Sequence, residues 1–179
     1  LGATTPIGTP TIFMGNSYYD EYVIEVSGGD IASLTGNVGI TFHANAKVDA
    51  VAGTPSDVDS ATNVSSATLD NTAPTVTSIE RVTGEDTNAD SVDFTVTFSE
   101  AMDDGTVGTA DFTATAGNVT GVTMVSATVY TVTVSGGTLD NFNGAVGLTV
   151  VAGSLTDSVG NELTAVTPTG ANETYAVDN

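Results

Sequence analysis

The chain has 179 residues, and 22 Asp plus Glu stand against only two cationic side chains, Lys47 and Arg81, for a formal net charge of −20. Nucleic-acid binding needs cations to neutralise phosphates, so that class is excluded, and an anionic membrane surface would repel the chain. There is no Cys, which rules out disulfides and thiolate metal sites, and no apolar run approaches the roughly 20 residues of a membrane span, so no direct membrane insertion is expected.

High net charge alone favours disorder. Against it stand 40% hydrophobic residues, rich in Val and Ile, together with 32 Thr and 14 Ser. That is strand composition. In chain order, residues 1–21 match residues 109–129 poorly, and an internal repeat begins after them. Tyr22-Val-Ile-Glu-Val-Ser-Gly-Gly29 recurs as Tyr130-Thr-Val-Thr-Val-Ser-Gly-Gly137, an offset of 108. Gly36-Asn-Val-Gly-Ile-Thr41 recurs as Gly144-Ala-Val-Gly-Leu-Thr149, and Asp70-Asn71 as Asp178-Asn179, at the same offset. From residue 22 to the end the register holds without a gap, with 15 identities in 50 pairs. The repeating unit is therefore about 108 residues, the size of one β-sandwich domain. Residues 72–179 read as one complete unit. Residues 1–71 read as the C-terminal part of an incomplete unit that lacks its first strands, which another chain could supply.

Within residues 72–179 the alternation is clear. Strands are predicted over Pro74–Val82, Ser91–Ser99, Asp111–Thr115, Val119–Ser126, Val129–Ser135, Ala145–Val151 and Thr174–Val177. In the second, Val92, Phe94, Val96 and Phe98 share a face, and in the fifth Val132 and Val134 do. Seven short strands between Gly- and Asn-rich turns predict an all-β fold, an antiparallel two-sheet sandwich. No stretch shows helical periodicity.

Several motifs carry a family resemblance. Asp70-Asn-Thr-Ala-Pro-Thr-Val76, Thr87-Asn-Ala-Asp-Ser91 and Phe94-Thr-Val-Thr-Phe-Ser-Glu-Ala101 are followed by Ala110-Asp-Phe-Thr113, the Tyr130–Gly137 run and Asp157-Ser-Val-Gly-Asn161. In this order they resemble the bacterial Ig-like tandem repeats of large calcium-dependent surface adhesins, across residues 70–179 and more loosely 22–69. The resemblance implies extracellular Ig-like modules at a cell surface, used as stalks and often binding calcium. The first unit departs from the pattern, because Asp49-Ala-Val-Ala-Gly53 replaces Asp157-Ser-Val-Gly-Asn161.

Alternating strand direction sorts the loops to two poles. One pole gathers the linker residues Asp70 and Asn71, the loop Glu100-Ala-Met-Asp-Asp-Gly105 with Asp103 and Asp104, and Asp157 and Asn161 from the loop before the last strand. Asp30 of the preceding unit could join them. Ca²⁺ takes six to eight hard oxygens at about 2.3–2.6 Å, and clustered carboxylates without Lys or Arg favour such a cation. Zn²⁺ is a poor fit, since His43 is the only imidazole. The other pole gathers Asp86 and Asp90, then Asp140 and Asp178, as a second candidate site; a third is conceivable at Asp57 and Asp59.

Catalysis is not expected: one His, no Cys and two basic residues leave carboxylate pairs as the main option, and Asp103 and Asp104 sit side by side on a turn, a poor glycosidase geometry. The leading expectation is a non-enzymatic extracellular repeat whose partners are neighbouring repeats or copies of the same protein. The alternatives are a filament or surface-layer subunit joined by β-strand complementation, and a glycan- or protein-binding module.

Overall fold

A computed structural model describes residues 11–13, 23–25, 34–40, 47–48, 56–57 and 65–179. The chain divides into two compact units, Leu1–Asn71 and Thr72–Asn179. In the first, β1 (Thr11–Phe13) pairs with β2 (Val23–Glu25), β3 (Gly36–Ile40) with β6 (Ser65–Leu69), and β4 (Lys47–Val48) with β5 (Ser56–Asp57), all antiparallel. Asp30, His43, Asp49 and Asp59 lie outside the described residues.

The second unit is all-β apart from two 3-10 turns. Its strands are β7 (Val76–Arg81), β8 (Asp86–Thr87), β9 (Ser91–Phe98), β10 (Phe112–Ala114), β11 (Asn118–Ser126), β12 (Val129–Ser135), β13 (Asn143–Val146), β14 (Leu148–Val150) and β15 (Tyr175–Asp178). They form a four-stranded sheet in the order β11-β12-β9-β7, a three-stranded sheet β13-β15-β8, and the pair β10-β14. All pairings are antiparallel except β15 with β8.

Period-2 alternation gives β9 its place at the centre. Val92, Phe94, Val96 and Phe98 are buried on one face, while the intervening Asp93, Thr95 and Thr97 are only partly covered. β12 repeats this with Tyr130, Val132 and Val134. One core joins these residues to Phe112, Val146, Leu148, Val150, Leu155, Leu163, Tyr175 and Val177, so side chains from all three sheets share it. Edge-to-face ring pairs, Phe94 with Tyr175 at 5.2 Å and Phe98 with Tyr130 at 5.9 Å, fix the packing at two places in it.

Three features differ from the sequence expectation. The strand expected over Ala145–Val151 is two strands, broken at Gly147, and the break moves the chain from β15 to β10. Gly147 is held there by Thr115, whose N–H donates to the Gly147 carbonyl at 3.0 Å and whose Oγ1 accepts from its N–H at 3.0 Å. A Cβ at Gly147 would stand 3.1 Å from the Thr174 methyl, so only glycine passes without a shift. Second, the supposed loop Glu85–Asp90 contains β8, which runs parallel to β15. Third, the segment 165–173, which lacks alternation, lines the outer edge of β7. The Ile79 N–H donates to the Ala171 carbonyl at 2.8 Å, and the Gly170 and Glu173 N–H groups donate to Thr77 and Ile79 at 2.9 Å.

The two units share one strand register. Gly36 pairs with Leu69 in the first and Gly144 with Val177 in the second, and 144 − 36 and 177 − 69 both equal 108. Val38 with Ala67 and Val146 with Tyr175 repeat the relation. The hairpin that follows differs: Val48 pairs with Ser56, whereas Thr156 bridges Glu162, a shift of two residues from the position the same offset would give. The difference falls where Asp157-Ser-Val-Gly-Asn161 gives way to Asp49-Ala-Val-Ala-Gly53.

Candidate metal site

Two loops of the second unit are tied together by backbone. Met102 and Asp157 form an antiparallel bridge, the Asp103 N–H donates to the Thr156 carbonyl at 3.0 Å, and the Ser158 N–H donates to the Ala101 carbonyl at 3.0 Å. Buried Met102 and Leu155 anchor the pair to the core. Residues more than 50 apart in sequence are thus locked side by side, with Glu100 and Asp157 among them.

Asp157 is 2% exposed. Its Oδ1 accepts from the N–H of Val159 at 2.9 Å and of Asn161 at 2.8 Å, and its Oδ2 accepts from Asn161 Nδ2 at 2.8 Å. The turn closes as the Gly160 N–H reaches the Asp157 carbonyl at 3.2 Å, with Gly160 at φ +98°. Burial pushes the Asp157 carboxyl up, but hydrogen bonds from the Asn161 side chain and from the N–H groups of Asn161, Val159 and Gly160 outweigh it and hold the group below the usual carboxylate range. Asp157 is therefore an anion at neutral pH.

Asp70, Glu100 and Asp157 each present a carboxylate oxygen, and the three oxygens lie within 4.8 Å of one another. Arg81, the only basic residue after Lys47, stands at the far end of β7 from Ser99, whose hydroxyl accepts from the Thr75 N–H at 2.9 Å. At about 3.3 Å per residue, the length of β7 puts the guanidinium's strand position about 17 Å away. It serves Glu85 at 3.7 Å and Glu173 at 3.9 Å instead.

Other residues of the first candidate set are placed differently. Asn161 joins the group through Asp157. Asp103 and Asp104 lie on the same loop but are exposed and outside the carboxylate trio; Asp103 Oδ1 accepts from the Gly105 N–H at 3.0 Å. Asn71 donates from Nδ2 to the Leu34 carbonyl at 2.6 Å and from its N–H to Thr35 Oγ1 at 3.2 Å. In the second candidate set, Asp86, Asp90, Asp140 and Asp178 are all exposed, and among the described residues they form no carboxylate cluster. Asn179 is what ties that end together: its Nδ2 donates to the Leu139 carbonyl at 2.8 Å, and its own carbonyl accepts from Asn143 Nδ2 at 2.8 Å.

Two buried groups near or beyond this loop were not legible in the sequence. Tyr130 is fully buried, and its hydroxyl has no hydrogen-bond partner among the described residues. Burial foremost, then the charges of Asp104 and Asp103, hold its pKa above the ordinary phenol value, so it stays neutral. Asp111, 5% exposed, accepts from the Gly108 N–H at 2.8 Å and from the Ser154 hydroxyl, pinning two loops. The only advance signal for Asp111 was its position at the start of a predicted strand.

The donor set is all oxygen. Three carboxylates plus carbonyls or water suit a hard divalent cation such as Ca²⁺, and the locked backbone of Asp157 would hold one ligand in place without reorganisation. Compared with known proteins, the chain matches no protein-family model, no curated protein and no solved structure. Among the described residues no helix is long and apolar enough to cross a membrane.

Proposed function

We propose that the chain is a non-enzymatic structural segment of a bacterial surface adhesin or fibre, built from tandem Ig-like sandwich repeats of about 108 residues that stack end to end outside the cell. Calcium bound by Asp70, Glu100 and Asp157 stiffens the connection between repeats. The observation that carries this reading is the approach of those three carboxylates within 4.8 Å. Carboxylates at that spacing repel one another unless a cation sits among them. Binding only the ordered arrangement shifts the population toward it. The shared strand register of the two units supports the tandem-repeat part of the reading, and the adhesin motifs support its class.

Calorimetric titration with Ca²⁺ and small-angle scattering in calcium and in chelator test it together. The expected result is saturable binding with an extended, narrower distribution of shapes in calcium and a more compact, broader one in chelator. Glu100→Gln, which removes one ligand charge, should weaken binding at least about tenfold with the fold retained. Absence of binding, with superimposable scattering profiles, would overturn the proposal.

A further inference from the structure

Most sheet edges of the second unit are guarded. The outer edge of β7 is bonded to the segment 165–173. β8 has two residues, one of them Asp86, with Glu85 before it and Asp90 after it, and β10 and β14 have three residues each. β13 has four and follows Asp140. Short, charged or covered edges resist pairing with other chains.

β11 is the exception. It ends the four-stranded sheet, has nine residues, and pairs only with β12. It contains no charge and no proline, and no charged residue occurs between Asp111 and Asp140 in a chain of net charge −20. Thr123 is exposed, as are Met124 at 49% and Val125 at 65%. Two register shifts interrupt β11, between Val119 and Gly121 and between Met124 and Ser126, but Gly121, Val122, Thr123 and Met124 pair with β12 without a break. Along that regular run every second residue turns its N–H and C=O away from β12 and toward the open edge.

We infer that β11 is a docking edge for β11 of a second copy of this chain, the two strands pairing antiparallel about a two-fold axis within Gly121–Met124. The charge pattern selects this occupant. Two copies at net charge −20 repel over most of their surfaces, and the Asp111–Asp140 interval is the longest charge-free stretch of the sequence, with Asp103 and Asp104 approaching it only at the Ala127 end, where the Met102 N–H donates to the Ala127 carbonyl at 2.9 Å. An isologous contact needs a self-complementary strip, and an uncharged strand edge is one in either register.

The consequence for salt is distinctive. Salt screens the net repulsion and leaves backbone pairing intact, so association should strengthen as ionic strength rises. Contact through ion pairs would weaken instead. Sedimentation of the full chain in chelator, across a concentration and NaCl series, should show a reversible shift toward twice the monomer mass, larger at high salt. Thr123→Glu should weaken association at least about tenfold, whereas Val82→Glu, the same charge change at an exposed site elsewhere, should leave it unchanged. The chain has no native Cys, so a spin label on Thr123→Cys reports on this edge alone. It should show concentration-dependent dipolar broadening that a label on Val82→Cys lacks. A chain monomeric throughout the series overturns the proposal, as does association that survives Thr123→Glu or leaves the Thr123 label unbroadened.

Discussion

The hydroxyl of Tyr175 serves several partners at once. It accepts from the N–H of Val82 at 3.0 Å and of Thr83 at 3.2 Å, and donates to the Asp93 carbonyl at 2.6 Å. Its ring packs on Phe94 in the core, so one side chain ties the last strand to the loop after β7 and to the start of β9. Tyr175→Phe keeps the ring and removes the acceptor of the Thr83 N–H, while the Val82 N–H still donates to the Asp93 carbonyl at 3.2 Å; the expected loss is about 1 kcal/mol, read from urea unfolding in chelator. Asp157 makes a comparable clamp with charge. Its folded pKa lies below the unfolded value, so its stabilisation is complete above the unfolded pKa of about 3.9 and is lost as pH falls through the depressed folded one. The unfolding midpoint should therefore drop as the pH goes below about 4, and Asp157→Asn should make that drop shallower while lowering stability near neutrality. An unchanged pH slope in the variant would count against this role. Nothing in the sequence singled out Tyr175, because its partners lie about 90 residues away and include backbone groups of no particular residue type.

At the scale of elements, the alternating strands were readable in the sequence and the rest was not. β9 and β12 bury every second side chain against one core, and that regularity is what the Val–x–Phe–x–Val–x–Phe and Val–x–Val patterns record. Phe94→Ala, at the centre of β9, should cost about 3–5 kcal/mol and is checked by the same urea series. Where strands are held by backbone alone, side-chain pattern carries no signal. β8 has two residues and exposed or half-covered side chains, and the segment 165–173 bonds to β7 through carbonyls and N–H groups that any sequence offers. The partner change at Gly147 was equally hidden, since an apolar run on both sides of it reads as one strand. Which of the acidic residues would meet was not legible. Glu100 and Asp157 are brought together by the backbone bridge between their loops, while Asp103, whose own N–H joins that bridge at the Thr156 carbonyl, turns its carboxylate onto Gly105.

At the scale of the whole chain, residues 72–179 hold their own core and their own edges. Expressed alone, this piece should unfold in one cooperative transition by circular dichroism and fluorescence, with the two probes coincident. The path of the chain through this unit also fixes how it answers a pull. β7 begins four residues after the unit starts, and the segment from 165 runs in the same direction beside it, bridging at Thr75–Ala165 and Ile79–Asn172, before β15 carries the chain out. Tension on Thr72 and Asn179 would drag these two parallel pieces past each other along their length. The bonds from Val76 to Ala165, Gly170 to Thr77, Ile79 to Ala171 and Glu173 to Ile79 would then be loaded together rather than one after another. The Arg81 guanidinium, donating to the Thr174 carbonyl at 2.7 Å, adds a side-chain bolt to the same seam. The unit is thus wired as a shear joint, the arrangement in which a load must break several bonds in a single event, and its resistance to force should exceed what its equilibrium stability alone would suggest.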